Sequence, residues 1–241
     1  MNFRGSRYYD HDEFFHNYNV KRSTKENAND TIEKPIFYNL VDDVSNLNVL
    51  DLGCGDGRFG LELLEKGCHR YVGVEGSTNM YQCALKNLNE HKDAQVINQT
   101  IEDWDFPTNA FDLVTSRLVL HYLEEIESVF RNIYHSIVQG GRFIFSVEHP
   151  VITSTLQKTG LRTSWTVDQY FINGFREQEW LGSTVQKYHR TIEDYFSTLQ
   201  IVGFKIKTLR ESRPNPKYFI HEETYQRRLR VPLFLFFSAR K

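Results

Sequence analysis

Short apolar runs alternate with helical patterns along most of the chain. Runs of mostly apolar residues that are bounded by glycine, proline or polar residues predict strands. The predicted strands are 48–52, 70–75, 94–97, 111–116, 142–147, 204–209 and 231–237. Apolar residues that recur every three or four positions predict helices over 58–66, 77–88 and about 123–138.

Strands separated by helices of this length indicate a parallel sheet that is covered by helices on both faces. The last predicted strand is apolar from Leu233 to Phe237, which is typical of burial on both sides, and Pro232 is tolerated only at its start. The chain has 241 residues, 40% hydrophobic and 25% charged, which is enough for one substantial core. We therefore predict a single α/β domain.

Charge and cysteine content limit the possible partners and compartments. The net charge is −2 and the pI is near 6.5, whereas duplex-binding proteins usually carry a strongly basic face, so we do not expect a nucleic-acid partner. Three cysteines, one of them in a glycine-rich turn, argue against a disulfide framework and fit a reducing compartment. The chain opens without an apolar leader and contains no apolar run that could span a membrane. We expect a cytoplasmic protein with no membrane span.

The most informative segment is the glycine-rich turn after the first predicted strand. Asp51 lies at the tip of that strand, and Gly53, Gly55 and Gly57 follow at alternate positions. Glycines let the backbone approach a ligand closely, and the next helix offers its free N–H groups to the same space. A pyrophosphate beside Asp51 would face like charge, whereas the amino group and sulfonium of S-adenosylmethionine would be attracted.

The turn has three other interpretations. The pattern Gly55-x-Gly57-x-x-Gly60 satisfies the dinucleotide fingerprint, and Glu75 lies about twenty residues downstream, where such folds place a ribose acid. A Walker-type phosphate loop is excluded, because Leu61 and Glu62 follow in place of lysine and a hydroxyl residue. A glycine-rich turn without any ligand is the third possibility.

Several polar residues fall at the carboxyl ends of predicted strands, where ligands bind in open α/β sheets. They are Asp51, Glu75, Ser116 and His149. Glu75 could accept hydrogen bonds from ribose hydroxyls or be a solvated acid, and Met80 could pack on an adenine face or belong to the core.

An ordered set of motifs carries a family resemblance. Asp51-Leu-Gly-Cys-Gly-Asp-Gly, the acid Glu75, Phe111-Asp-Leu-Val-x-Ser and Gly140-Gly141-Arg-Phe lie in this order between residues 48 and 147. This segment resembles the core of class I S-adenosylmethionine-dependent methyltransferases, most closely the branch with small-molecule and quinone-type enzymes. The Asn/Asp-Pro-Pro-Tyr/Phe motif of nucleic-acid amino-methyltransferases is absent after the fourth strand, which argues against methylation of a flipped base.

The resemblance implies a Rossmann-like, doubly wound, mostly parallel seven-stranded sheet with helices on both faces and an antiparallel last strand. It also implies S-adenosylmethionine as cofactor and S-adenosylhomocysteine as product, with no metal site. Thr100 stands where the family usually has an adenine-contacting acid, which leaves the Ile101 N–H and Glu102 or Asp103 as candidates. The expected cofactor-binding residues are Asp51, Gly53, Cys54, Gly55, Glu75, Gly76, Ser77, Met80, Ile101, Glu102 and Ser116.

The single domain divides into four expected segments. Residues 1–47 form a helical lid, 48–149 the cofactor-binding core, 150–190 an aromatic cap insertion, and 191–241 a helix and strands that complete the sheet. The lid could equally be a surface helix that only packs on the sheet. The aromatic residues of the cap suit either a wall for a planar acceptor or a satellite core. They are Trp165, Tyr170, Phe171, Phe175, Trp180 and Tyr188.

Methyl transfer to a small-molecule acceptor is an in-line displacement that requires orientation and exclusion of water, with a base only where the acceptor must lose a proton. His149, His189 and His121 are the candidate bases, each with an ordinary hydrogen-bonded alternative. Arg190 and Arg117 could anchor an acidic acceptor, and 227–230 reads as a solvated basic face. A cofactor-binding protein without catalysis and an NAD-dependent oxidoreductase remain alternatives, and the sequence specifies neither the acceptor nor the oligomeric state.

Overall fold

A computed structural model describes residues 5–155 and 164–241 of the chain. The helices are α1 (Asp12–Ser23), α2 (Lys34–Val41), α3 (Arg58–Glu65), α4 (Thr78–Leu88), α5 (Ile126–Ser136), α6 (Pro150–Thr153), α7 (Ile192–Val202) and α8 (Glu222–Arg228). The strands are β1 (Asn48–Leu52), β2 (Arg70–Val74), β3 (Ala94–Ile97), β4 (Phe111–Arg117), β5 (Ile137–Glu148), β6 (Gly174–Trp180), β7 (Ser183–His189), β8 (Lys205–Glu211) and β9 (Phe234–Arg240). Short 3₁₀ helices cover Gly5–Asp10, Leu120–Tyr122 and Pro216–Tyr218, and a π-helical turn covers Asn29–Glu33.

Seven strands form one sheet in the order β3-β2-β1-β4-β5-β9-β8. The five strands from β3 to β5 are parallel, and β9 pairs antiparallel with both β5 and β8. The predicted fold class, including the antiparallel last strand, is confirmed. The chain builds outward from β1 to β3 and then returns to place β4 on the other side of β1. This reversal creates the crevice in which ligands of such sheets bind.

Strand alternation divides the core into two layers. Leu50 packs on the face covered by α5 and α7, whereas Val49 packs on the face covered by α2, α3 and α4. Phe143 and Ile144 on β5 make the same division, because successive side chains of a strand point to opposite faces. The central strands are therefore apolar along their length, which is why they could be recognised in the sequence.

Some predicted boundaries were wrong. The helix predicted to reach residue 138 ends at Ser136, and β5 begins at Ile137 instead of Arg142, because Ile137 already pairs with Phe111. Ile137 also continues the apolar spacing of α5, so the pattern alone fits either element. The last strand begins at Phe234, three residues after the predicted start at Val231.

The cap contains a β-hairpin that the sequence pattern did not predict. Strands β6 and β7 pair antiparallel around Leu181 and Gly182, whose φ angles of +53° and +83° are those of a tight hairpin turn. The buried face of β7 consists of Val185, Lys187 and His189. Two polar side chains on the buried face hide the alternation that would otherwise mark a strand.

Helix α3 can lie close to the sheet because Gly60 has no side chain. A Cβ at Gly60 would lie 2.3 Å from Cζ of Tyr71 on β2. The Tyr71 ring is fully buried beneath the helix, and its hydroxyl continues to the carboxylate of Asp51 at 2.9 Å. Gly60, the last glycine of the Gly55-x-Gly57-x-x-Gly60 pattern, is therefore a packing residue.

We expect Gly60→Ala to destabilise the protein by roughly 1–3 kcal/mol, measured by urea unfolding, because the methyl group overlaps the Tyr71 ring. In a Tyr71→Val background, the same change should be neutral or stabilising, since alanine is the better helix former. Equal costs in both backgrounds would show that Tyr71 is not the obstacle.

Candidate functional site

The glycine turn occupies the carboxyl end of β1, at the switch point of the sheet. The N–H groups of Gly53 and Cys54 donate to the Val74 carbonyl oxygen, which fixes the turn to the end of β2. The φ angle of Gly55 is +58°, and no atom lies within 4 Å of the position that a Cβ would occupy there. The backbone at Gly55 therefore faces open space that a ligand can approach closely.

Glu75 follows β2 and holds the turn from the other side. Its Oε2 accepts the Gly55 N–H at 2.8 Å, and its Oε1 accepts the Ser77 N–H at 2.8 Å. The side chain is buried, and burial raises the pKa of Glu75 to about 7. Each carboxylate oxygen keeps a second lone pair, so the group can still accept hydrogen bonds from a ligand.

Asp51 lies deeper than its place in the motif suggests. Its two carboxylate oxygens accept the hydroxyls of Tyr71 and Thr115, both at 2.9 Å. The residue is 2% exposed, and burial raises its pKa to about 6. In this structure the Asp51 carboxylate links β1 to β2 and β4 by hydrogen bonds. Because the side chain is buried, its influence on the space above the turn is electrostatic.

The other predicted cofactor residues divide into two groups. Gly53, Cys54, Gly76, Ser77, Met80 and Ser116 lie around the turn and the neighbouring strand ends. Ser116 donates to the Leu52 carbonyl oxygen at 3.0 Å, and Met80 is buried on α4. Ile101 is a buried member of the core layer that contains α5, and Glu102 is exposed. Thr100 and Asp103 bond to each other at 2.7 Å, so the turn after β3 is closed by its own side chains.

The N-terminal residues 5–23, which we call the cover, lie on the turn between β2 and α4. Ser6 Oγ lies 2.2 Å from where a Cβ of Gly76 would stand, so a side chain at this position would have to displace Ser6. Asp10 accepts the Ser77 hydroxyl at 2.8 Å and the Asn79 N–H at 3.1 Å. The expected lid reached residue 47, but α2 packs in the core beside α3, so the part over the site is shorter.

Aromatic side chains join the cover to the hairpin. The Tyr9 ring contacts both Phe14 and Tyr18, and Phe14 and Tyr18 meet the Trp180 ring at 5.5 and 6.2 Å between centroids. Tyr8 accepts the Gln186 N–H of β7 at 3.0 Å. Of the predicted cap aromatics, Trp180 belongs to this cluster, whereas Phe171 and Phe175 are exposed. The hairpin thus forms a satellite core with the cover.

An ion pair fastens the hairpin to the end of β5. Nζ of Lys187 lies 2.7 Å from each carboxylate oxygen of Glu148 and 2.8 Å from Oε1 of Gln178. Lys187 is 2% exposed, and its three N–H donors are all used. Burial raises the pKa of Tyr9, and the charges of Glu75 and Glu148 act in the same direction. The sequence patterns singled out none of Tyr9, Glu148 and Lys187 as site residues. Tyr9 and Lys187 lie in segments without a clear periodic pattern, and Glu148 directly follows the predicted strand 142–147 as an ordinary charged residue.

The chain turns sharply after β4. Leu118 has a φ angle of +57°, and its N–H bonds to the Ser146 carbonyl oxygen at 2.9 Å. A residue other than glycine in this region carries backbone strain that the surroundings must hold. The turn places Val119 against Gly53 and leads into the 3₁₀ helix with His121 and Tyr122.

All three candidate histidines are buried and bonded within the protein. Nδ1 of His149 accepts the Val151 N–H, and its Nε2 lies 3.0 Å from Glu211. The ring nitrogens of His189 contact the Thr153 hydroxyl and the Tyr170 carbonyl oxygen. This geometry gives His149 and His189 structural roles, and their service as bases stays a prediction.

His121 is the third candidate. Its Nδ1 accepts the Glu148 N–H at 3.3 Å, so the neutral ring carries its proton on Nε2. Burial lowers the pKa of His121 to about 3. The neutral ring is therefore a hydrogen-bond donor through Nε2, and the role of His121 as a base stays a prediction.

The two arginines that were predicted to anchor an acidic acceptor both interact with other groups of the protein. Arg117 pairs with the fully buried Glu33 and lies over the Phe37 and Phe59 rings. Arg190 donates to the carbonyl oxygens of Leu123 and Glu124. The basic run was expected to be solvated, but Nε of Arg227 and of Arg228 is buried, so that expectation was wrong for these two residues.

Within residues 5–155 and 164–241, no group of histidine, cysteine and acidic side chains is arranged to hold a metal ion. In the same residues, no helix combines the length and apolarity needed to cross a membrane. Cys54, Cys68 and Cys83 are all free thiols.

Comparisons with known proteins extend over most of the chain. A family model described as a methyltransferase domain matches residues 50–145. The crystal structure of a proposed S-adenosylmethionine-dependent methyltransferase from Listeria monocytogenes is 34% identical, with a TM-score of 0.79 over 87% of this chain and 96% of that chain. A structure of an S-adenosylmethionine-dependent methyltransferase from Mesorhizobium loti is 28% identical, with a TM-score of 0.81 over 87% and 97%. An uncharacterized protein of Haemophilus influenzae is 30% identical over 97% of this chain and 96% of its own length.

Replacing Lys187 by methionine should destabilise the protein by roughly 3 kcal/mol, because the buried Glu148 carboxylate loses its charged partner. Urea unfolding measures this loss, and Lys205→Met on the exposed edge strand β8 is the matched control. Adding Glu148→Gln should recover part of the loss. Equal stabilities of Lys187→Met and Lys205→Met would contradict a structural role for the ion pair.

The raised pKa of Glu75 predicts a stability that falls as pH rises. Below about pH 4.5 the carboxyl group is protonated in both states, and between there and about pH 7 only the unfolded chain ionises, which favours unfolding. Wild type should lose roughly 2–3 kcal/mol more than Glu75→Gln between pH 5 and pH 8, measured by urea unfolding. Glu90→Gln, at an exposed position after α4, should behave as wild type. A parallel pH dependence in Glu75→Gln would rule out this titration.

Proposed function

Because the chain belongs to the S-adenosylmethionine-dependent methyltransferases, we propose that it transfers the methyl group of S-adenosylmethionine to a small-molecule acceptor. The acceptor lies between the ends of β4 and β5 and the aromatic cluster of cover and hairpin. Its place in the small-molecule and quinone-type branch stays a prediction.

The observation that carries this proposal is the Glu75 carboxylate opposite Gly55. The open space at Gly55 suits a ligand that presses against the backbone, and the buried acid suits a pair of ribose hydroxyls. Asp51 adds negative charge beneath the turn, which favours a cationic cofactor over a pyrophosphate. The same residues would therefore hold S-adenosylmethionine better than NAD.

The bound cofactor supplies a methyl group that its sulfonium has already activated. The chain's residues then need only to orient the acceptor and exclude water. Tyr9 of the cover and Tyr122 of the 3₁₀ helix after β4 are the aromatic side chains that we expect to contact the acceptor, and Asp10 fastens the cover to the turn between β2 and α4. A base is required only if the acceptor must lose a proton. The neutral His121 ring would instead donate a hydrogen bond to the acceptor through Nε2.

Two alternatives differ from this proposal in measurable ways. A cofactor-binding protein without catalysis would bind S-adenosylmethionine but release no S-adenosylhomocysteine with any acceptor. An NAD-dependent oxidoreductase would bind NAD in spite of the two acids. The free cysteines support a reducing compartment, and we propose the cytoplasm on that basis.

Calorimetry should show binding of S-adenosylmethionine and S-adenosylhomocysteine and no comparable binding of NAD. Glu75→Ala should weaken S-adenosylhomocysteine binding by roughly 1.5–3 kcal/mol, the scale of a hydrogen bond to a charged group. The 2′-deoxyribose analogue should lose little further affinity in Glu75→Ala, because both changes remove one interaction. Glu90→Ala is the control. Tighter binding of NAD than of S-adenosylmethionine would refute the assignment of the cofactor. If the affinity losses from Glu75→Ala and from the 2′-deoxyribose analogue were fully additive, Glu75 would not contact the ribose.

A further inference from the structure

A buried carboxylate lies behind the strained turn that follows β4. Glu33 ends the π-helical turn before α2, and its side chain is completely buried. Arg117 at the end of β4 donates to both of its oxygens, through Nε at 3.2 Å and through a terminal guanidinium nitrogen. Because desolvating two charges offsets much of their attraction, such a pair adds little to stability by itself. A third hydrogen bond of Glu33 leads toward the candidate site.

That hydrogen bond comes from the hydroxyl of Ser146 on β5, which donates to Oε1 of Glu33 at 2.8 Å. A carboxylate only accepts, so the hydroxyl proton points to Glu33 and the lone pairs of Oγ are left for other donors. The Leu118 N–H is such a donor, 3.2 Å from Ser146 Oγ, and it also bonds to the Ser146 carbonyl oxygen at 2.9 Å. Glu33 therefore fixes the orientation in which the Ser146 hydroxyl holds Leu118.

Leu118 requires this hold because its φ angle of +57° is unfavourable for a residue with a Cβ. Its side chain also packs on the core layer that contains α2 and α3. With fewer hydrogen bonds from Ser146, the Leu118 backbone would relax toward ordinary angles, and the residues that follow it would change direction. The hydrogen bonds thus select the strained arrangement of the turn over a relaxed one.

The next residue, Val119, connects this strained turn to the glycine turn of the candidate site. Its Cγ2 lies 2.4 Å from where a Cβ of Gly53 would stand, so the isopropyl group packs on the Gly53 backbone. The Gly53 N–H in turn bonds to the Val74 carbonyl oxygen at 2.8 Å. Gly53 is therefore held by two contacts, and the contact with Val119 depends on the strained turn.

On the basis of the proposed function, we propose that Glu33 and Ser146 are positioning residues for the cofactor. They hold the strained backbone of Leu118, and through Val119 they set Gly53, the first glycine of the turn that receives S-adenosylmethionine. Both side chains are completely buried, so they act on the ligand through the backbone. A site that is already arranged for its ligand binds more tightly than one that must first be ordered, so relaxation of the turn weakens binding.

The test measures the affinity of the full chain for S-adenosylhomocysteine by calorimetry. Ser146→Ala should weaken binding about fivefold, the scale of one hydrogen bond, because Leu118 loses an acceptor while the Glu33–Arg117 pair stays intact. Ser136→Ala is the matched control, since it removes a buried hydroxyl that has no partner in the described part of the chain, and it should match wild type. Glu33→Gln should also weaken binding, and adding it to Ser146→Ala should cause little further loss.

A rescue at Leu118 separates positioning from a general loss of stability. Leu118→Gly removes the cost of the positive φ angle, so it should recover affinity in the Ser146→Ala background. Leu118→Ala in the same background removes nearly the same packing but keeps a Cβ, and it should recover none. Urea unfolding shows that each variant is folded under the conditions of the titration, so a change in affinity then reports on the site.

Equal affinities of Ser146→Ala and Ser136→Ala would overturn the proposal, as would equal affinities of the two Leu118 variants in the Ser146→Ala background. Full additivity of the losses from Glu33→Gln and Ser146→Ala would show that Glu33 does not act through Ser146. If wild type fails to bind S-adenosylhomocysteine, the proposed function is refuted, and hydrogen exchange of the Leu118 and Val119 amides in the chain without ligand still decides the positioning. Faster exchange in Ser146→Ala than in Ser136→Ala supports it, and equal exchange overturns it.

Discussion

The carboxylate of Glu75 is the point on which the geometry of the site depends. One oxygen holds Gly55 of the glycine turn, and the other holds Ser77 at the start of α4. Ser77 in turn bonds to Met80 as the helix cap and to Asp10 of the cover. A single buried acid therefore sets the distance between the turn, the helix and the cover. The raised pKa of Glu75 reflects the free energy that is lost when its charged form is removed from water.

The cover and the hairpin solve a packing problem together. Neither the α1 segment nor a two-stranded hairpin can bury enough apolar surface to be stable alone. Phe14 and Val185 are nevertheless almost completely buried, because each element covers the other. The Lys187–Glu148 pair adds a fixed attachment to the sheet, at a desolvation cost that an exposed pair would not have. The aromatic cluster and the ion pair together position Trp180 over the end of β5.

The part of the molecule that follows simple periodicity could be predicted from the sequence. The strands of the sheet are continuous apolar runs because both of their faces are covered, and the glycine turn and Glu75 follow from their places at strand ends. The hairpin could not be predicted, since Lys187 and His189 occupy its buried face and satisfy themselves with distant partners. The environment of Arg228 was predicted wrongly for a related reason, because charged residues are normally solvated and only the tertiary structure shows that its Nε is buried. Asp51 was predicted to meet the ligand, and only the structure shows the two hydroxyls that hold it.

The contacts of the cover also have a kinetic consequence. Residues 5–23 touch the β2–α4 turn through Asp10 and the hairpin through Tyr8, so the same segment contacts both sides of the candidate site. If this segment acts as the predicted lid, a molecule enters or leaves the space beneath it only while these contacts are broken. Displacements of such segments take microseconds to milliseconds, which would set an upper limit on how often the site exchanges its contents. Under that prediction both halves of the site open together, and the residence time of a bound molecule depends on the same few hydrogen bonds and ring contacts.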